Sequence, residues 1–179
     1  MPVHAFVDES ARNGRYLMAV AVVEPSRLRQ LRQSMCALLL PGQRELHFYR
    51  EKPARRRLLA DTIARLDVEV HIYSRSWDGR DESARQDCLA RLVAELLDRQ
   101  AHRLIIDTRD TQDIHDDRTL RRLLGPHPSA SQFVYGHVDS TSESLLWIAD
   151  VVGWCHGAGR DWRRRVDPIV ASVVDLDNV

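Results

Sequence analysis

Short runs of branched and aromatic residues alternate along this chain with longer stretches in which apolar residues recur every three or four positions. The first run, Val3-His4-Ala5-Phe6-Val7, stops at Asp8-Glu9-Ser10, and a second, over residues 16–23, follows an Asn13-Gly14 pair. Asn-Gly between two such runs is a strong hairpin signal, because a tight two-residue turn needs positive φ at both positions. The pattern predicts a buried opening hairpin. Pro25-Ser26 then begins a helix with Leu28, Leu31, Met35 and Leu38 on one face, closed by Pro41-Gly42. Glu45-Leu46-His47-Phe48-Tyr49 reads as a short strand or turn. A helix is expected over 54–66, a half-exposed strand over 68–73, a helix over 83–99, a strand over 102–107, a helix over 114–124, a strand over 133–138 and a last helix over 142–158. Residues 162–179 leave three readings open: a helix end, an edge strand or a partner-binding extension.

Strands alternating with helices after a hairpin indicate an α/β fold with a mixed sheet of about five strands flanked by helices. The right-handed crossover rule makes the later strands mainly parallel. At 179 residues the chain is expected to form one domain over 1–179, with 162–179 as a candidate C-terminal extension. Such a length buries roughly 70% of the unfolded surface, so no disulfide or metal staple is needed. Balanced charge, with 26 basic and 26 acidic residues, argues against a uniformly basic nucleic-acid-coating protein but leaves room for a local phosphate-binding patch. Cys36, Cys88 and Cys155 are odd in number and widely spaced, early charges break any signal-peptide core, and the apolar runs are too short to span a bilayer. A cytoplasmic protein without membrane association is the expectation. Lys52 is the sole lysine among many arginines, which reflects either base composition or arginine's bidentate fit to phosphate.

The recurring chemical feature is an aspartate closing an apolar strand: Asp8 after the first run and Asp107 after Leu104-Ile105-Ile106. If these strands are parallel neighbours, the two carboxylates lie side by side at the sheet edge where open α/β folds place ligands. Carboxylates so placed repel unless a cation lies between them, and hard Mg²⁺ or Mn²⁺ ions prefer oxygen ligands. The plain alternative is an aspartate that caps the next turn. Asp150 is a third candidate, in a helix apolar nearly all round, where an unpaired carboxylate is costly. Its structural alternative is a salt bridge to a buried arginine. Glu143, two turns earlier, fits a capping box in Ser140-Thr141-Ser142-Glu143 as well as it fits a site. Glu45 and His47 share a face at i, i+2 spacing. Glu9 points away from Asp8 on an extended strand, which makes it a surface residue unless the chain turns there. Asp110, Asp113 and Asp117 read as a solvated helix face. Arg55-Arg56-Arg57, Arg121-Arg122 and Arg163-Arg164-Arg165 are either solvated faces or phosphate contacts. Phosphate-binding loops, dinucleotide fingerprints, nucleophile elbows and zinc-protease motifs are absent.

These pieces resemble the family known as domain of unknown function 3800. The resemblance runs from Phe6 to about Gly157. The family's Asp-Glu-Ser-Gly opening is matched by Asp8-Glu9-Ser10, with Ala11 in place of glycine. Glu45-Leu46-His47 resembles its Glu-aliphatic-basic element, and Leu104-Ile105-Ile106-Asp107 its aspartate-terminated strand. Leu146-Trp147-Ile148-Ala149-Asp150 is similar to its late helix, with Trp147 in place of glutamine. The resemblance implies a ribonuclease H-like fold with an acidic metal centre.

Two functions follow as expectations. The first is a divalent-metal-dependent nuclease or related phosphoryl-transfer hydrolase acting on nucleic acid. In it Asp8, Asp107 and Asp150 hold Mg²⁺ or Mn²⁺, Glu45 completes the set, and Glu9, His47 and Glu143 are accessory candidates. The second is a non-catalytic interaction or regulatory module on the same fold, such as one in antiviral defence. There a protein partner would dock through apolar tail residues such as Trp162 and Ile169, and the oligomeric state is open.

Overall fold

The computed structural model describes residues 3–79, 82–109, 111, 113–125 and 132–178. The opening hairpin forms as the pattern predicts. Strand β1 (His4–Arg12) runs antiparallel to β2 (Arg15–Val23), and Asn13 and Gly14 turn between them with φ of 52° and 71°. Both strands feed a six-stranded sheet of order β5-β4-β1-β2-β3-β6, with β3 at Glu69–Ser76, β4 at Arg103–Asp107, β5 at Val134–Val138 and β6 at Val170–Asp175. The pairs β1–β4, β4–β5 and β3–β6 are parallel, and β2–β3 is antiparallel.

Helices cover both faces. Helices α1 (Leu28–Cys36), α2 (Pro53–Ile63), α5 (Leu146–Ala158) and α6 (Arg160–Val166) pack on the face that carries Phe6, Leu17, Ala19 and Ile105. Helices α3 (Ser83–Asp98) and α4 (Asp113–Leu124) cover the face of Ala5, Val7, Met18, Leu104 and Ile106. Period-two alternation along β1 and β4 divides these residues between the two cores. It also sends Asp8 and Asp107, each two positions after a residue of the first core, to the α5 face, and Glu9 to the α3–α4 face.

Helix α5 lies close against the hairpin because it carries glycine where the two meet. A Cβ at Gly153 would stand 3.4 Å from the Cβ of Ala19, and one at Gly157 would stand 3.0 Å from Leu17 Cδ1. The contacts advance from Ser10 at Gly153 to Arg12 at Gly157, so the helix follows β1 in its own direction. Asp150, one turn before Gly153, is thereby carried toward Asp8.

Several boundaries differ from the sequence reading. Asp8 does not end β1; the strand continues to Arg12 because β2 still pairs with it, while the ladder to β4 extends only to Val7↔Ile106. Residues 45–47 are not a strand but irregular chain leading into a 3₁₀ turn at Phe48–Arg50, anchored by buried Leu46 and Phe48. Helix α5 starts at Leu146, not at 142. Of the readings left open for residues 162–179, the helix end and the edge strand are both found. The tail forms α6, a 3₁₀ turn and β6, the sixth strand. Trp162 packs edge-on against Phe48 and Trp154, and Ile169 is buried, so these residues serve the core and not an exposed apolar surface. Asp110 lies outside the described residues, as does Pro126.

The close helix–hairpin contact makes a sharp prediction. Gly153→Leu should push α5 off the sheet and cost roughly 1–3 kcal/mol of stability. A lowered urea midpoint with an unchanged m value checks this; full stability would mean that the approach is not tight.

Candidate functional site

The carboxyl-end rim of β1 and β4 collects acidic side chains from four separate stretches of the chain. The parallel register His4↔Arg103 through Val7↔Ile106 places Asp8 level with Asp107 on the adjoining strand, where neighbouring strands lie about 4.8 Å apart. Asp150 comes down from α5 and accepts a 3.2 Å hydrogen bond from the Phe48 backbone N–H. Glu45 and His47 arrive on the irregular segment just before that residue. Their own contact, His47 Nε2 to Glu45 Oε1, is 2.7 Å, and the Ser140 hydroxyl donates to the other Glu45 oxygen.

The electrostatics of this rim are those of like charges gathered faster than nearby cations offset them. Burial raises Asp8 well above the usual carboxylate range, and the nearby charges of Asp150 and Asp107 push it further, against the pull of Arg109 and Arg85. Burial likewise lifts Asp150 to about 6; the Phe48 N–H and His47 oppose this, while Asp107 and Glu45 add to it. Asp107 is raised by burial and by Asp139 and Glu45, against Arg109 and His47. Among the described residues, none of these three aspartates forms an ion pair. The buried-arginine partner considered for Asp150 is thus not found there.

The opposite sheet face handles charge in the reverse way. Glu9 is not a surface residue: its side chain is 9% exposed, meets Arg85 and Arg109, and accepts from the Tyr16 hydroxyl. Arg85 is itself buried and grips Asp116 with two hydrogen bonds of 2.8 and 2.6 Å. His137 adds a third contact to Asp116 at 3.0 Å. Burial would push Asp116 upward, but these bonds outweigh it and leave it lowered. Removing two such charges from water is tolerable only because each finds a partner. The sequence reading missed this network. Its signal was present: Asp116 stands four residues before Leu120 and Arg85 four before Leu89, both on the inward stripes.

Glu143 stands apart from the rim. Arg32 holds its carboxylate at 2.6–3.2 Å, and the Leu145 N–H donates to it at 3.1 Å. Asp139, not a Ser-x-x-Glu box, organises the preceding turn by accepting from the Thr141 N–H. Of the candidate set, the structure therefore brings together Asp8, Asp107, Asp150, Glu45 and His47. It commits Glu9 to the opposite face and Glu143 to Arg32.

Oxygen donors with uncompensated charge suit a hard divalent cation. The fit lies in charge and donor type: among the described residues, no three His, Cys, Asp or Glu side chains already stand as a group able to hold a metal ion.

Comparison with known proteins places the fold. No family model matches the sequence, and no curated protein does. Among solved structures, the chain is similar to the ribonuclease HII in the structure of the PCNA:RNase HII complex from Archaeoglobus fulgidus, with a TM-score of 0.53 and 18% identity over 87% of this chain and 73% of that one. The chain has a ribonuclease H-like fold, and at this identity the likeness extends to the fold alone. Among the described residues, no helix is long and apolar enough to cross a membrane.

Asp150→Asn separates a strained, unpaired carboxylate from a structural one. Folding lifts Asp150 from an ordinary 3.8 to about 6, so the fold favours its protonated form. Stability from this group is fullest below pH 4 and is lost as the pH rises through 6. Without metal, Asp150→Asn should therefore gain about 1–3 kcal/mol at pH 7 and nothing at pH 4. Denaturant midpoints at both pH values test this, and a loss of roughly 3 kcal/mol or more would make Asp150 a structural partner.

Proposed function

We propose that this chain is a divalent-metal-dependent hydrolase of phosphodiester bonds in nucleic acid, a cytoplasmic member of the domain of unknown function 3800 family. The observation that carries the reading is the set Asp8, Asp107 and Asp150: three carboxylates gathered on one face of a ribonuclease H-like sheet, with raised pKa values and no ion-pair partner among the described residues. A fold gains nothing in stability from such a cluster. Its neighbours on the far face show that the same sheet pairs its charges where pairing is all that is needed.

In this reading Asp8, Asp107 and Asp150 hold Mg²⁺ or Mn²⁺, with Glu45 beside them. The ion when bound supplies Lewis-acid stabilisation of the phosphate oxygens and a more acidic attacking water. The chain's own groups do the rest. The half-buried setting of Asp8 and Asp150 limits screening by water, which strengthens their hold on a cation. The Ser140 hydroxyl fixes the Glu45 carboxylate, and Glu45 in turn orients His47 through Nε2. His47, half-exposed at the rim, is placed to pass a proton between solvent and a reacting oxygen. The likeness to a ribonuclease HII is in keeping with a nucleic-acid substrate.

One observation favours the non-catalytic module instead: the carboxylates do not stand as a finished coordination group. A cleavage panel decides between them. Labelled single- and double-stranded DNA, RNA and RNA–DNA hybrid should be cut in Mg²⁺ or Mn²⁺ and spared in EDTA. Asp107→Asn should reduce the rate by about 10²-fold or more. Equal rates for wild type and Asp107→Asn, or no cutting of any strand, would contradict the hydrolase.

A further inference from the structure

Next to the acidic rim lies a cluster that the hydrolase reading does not use. Trp154 stands one helical turn beyond Asp150 on α5. The ring of Phe48, the residue whose backbone N–H holds Asp150, packs edge-on against it at 5.2 Å, and Trp162 of α6 buttresses it at 5.3 Å and 90°. Two guanidinium groups cover this indole: Arg12, from the end of β1, at 4.9 Å from the ring centroid, and Arg56, from α2, at 5.0 Å. Arg12 shares Asp8's face of β1, four residues and about 13 Å farther along the strand. Trp154 is about 6 Å along the helix from Asp150.

What sets these two arginines apart is their shared seat on one indole with no carboxylate among the described residues to occupy them. Arg15, Arg32, Arg55, Arg85, Arg109 and Arg165 each pair with a carboxylate. Arg12 is exposed and, among the described residues, has no carboxylate partner. Arg56 gives its Nε to the Glu51 carbonyl at 2.8 Å, and among the described residues its two terminal nitrogens have no acceptor. A guanidinium seated on an indole spends its face on the ring and keeps its in-plane N–H fork for an anion. The acidic rim would repel a polyanion, and the chain's net charge of zero offers no general attraction. Fixed cations beside the rim meet that need locally.

We propose that Arg12 and Arg56, seated on Trp154, form a clamp for the sugar-phosphate backbone of the nucleic-acid strand that enters the acidic site. The proposal rests on the hydrolase reading and adds the surface that positions its substrate. Because the clamp takes phosphates and not base edges, it is indifferent to sequence. Arg12 and Arg56 are positioning residues; the reaction itself belongs to the carboxylates.

The test is binding without turnover, in the Asp107→Asn background with Mg²⁺, followed by the anisotropy of labelled single-stranded RNA, single-stranded DNA and RNA–DNA hybrid. Titrations at several salt concentrations give the slope of log affinity against log salt. Arg12→Gln and Arg56→Gln should each weaken binding roughly 3- to 10-fold and reduce that slope by about 0.7–0.9, the contribution of one phosphate contact. Arg12→Lys should keep the slope and lose about 2- to 3-fold in affinity, because the charge remains while the fork does not. A merely structural pair would lower the melting temperature and leave the slope unmoved. If the parent binds and both glutamine variants match its affinity and slope, the clamp is wrong and the hydrolase stands. If the parent binds none of these three and neither double-stranded DNA nor double-stranded RNA, the hydrolase reading fails and the clamp fails with it.

Discussion

The seating of α5 on the β1–β2 hairpin is the contact on which the site depends. Gly153 and Gly157 remove the side chains that would hold the helix away, and Ala19, Leu17 and Ser10 fill the space they leave. A helix set a few ångströms higher would still bury its apolar faces, but it would carry Asp150 out of reach of Asp8. One packing decision thus brings an acidic group from late in the chain to the first strand. The Phe48 N–H completes the placement by fixing the Asp150 carboxylate from a third element.

The sheet uses charge differently on its two faces, and the contrast gives the site its meaning. On the α3–α4 face, Glu9 and Asp116 meet Arg85 and Arg109, with His137 alongside, so buried charges cancel. On the α5 face, Asp8, Asp107 and Asp150 accumulate charge of one sign, and burial magnifies their repulsion. Adjacent residues of one strand, Asp8 and Glu9, belong to these two opposite regimes. An unpaired cluster of this kind lowers stability, which makes its retention in an otherwise well-paired fold an argument for use.

Much of this was legible in the sequence, because the strongest signals are local. The Asn13-Gly14 turn, the helical stripes and the aspartate after Leu104-Ile105-Ile106 each depend on a few neighbouring residues, and each leads to the element found. The position of Asp8 and Asp107 after two apolar strands already pointed to one sheet edge, provided those strands were parallel neighbours, and they are. What escaped were features set by distant partners. β1 runs past Asp8 because β2 pairs with it, and the Glu9 side chain is enclosed because Arg85 waits on α3, far along the chain. For the tail the pattern left an edge strand as one of three readings, and residues 170–175 take it because β3 offers a free edge. Glu143 looked like a cap or a ligand until Arg32 claimed it. Periodicity reports the face of an element but carries no information on which charged group will oppose it.

The claim that the α5-face aspartates form a cation site is tested most directly by thermal melting of the intact protein in EDTA, Mg²⁺ and Mn²⁺, with Asp8→Asn measured alongside. An ion that binds only the folded state at about a hundredfold above its Kd adds about 2.7 kcal/mol, or roughly 5–10 °C for a domain of this size. Wild type should show such a rise in millimolar Mn²⁺ or Mg²⁺, reversed by EDTA and absent in Asp8→Asn. A wild-type melting temperature unmoved by either metal, or a rise equally large in Asp8→Asn, would contradict it.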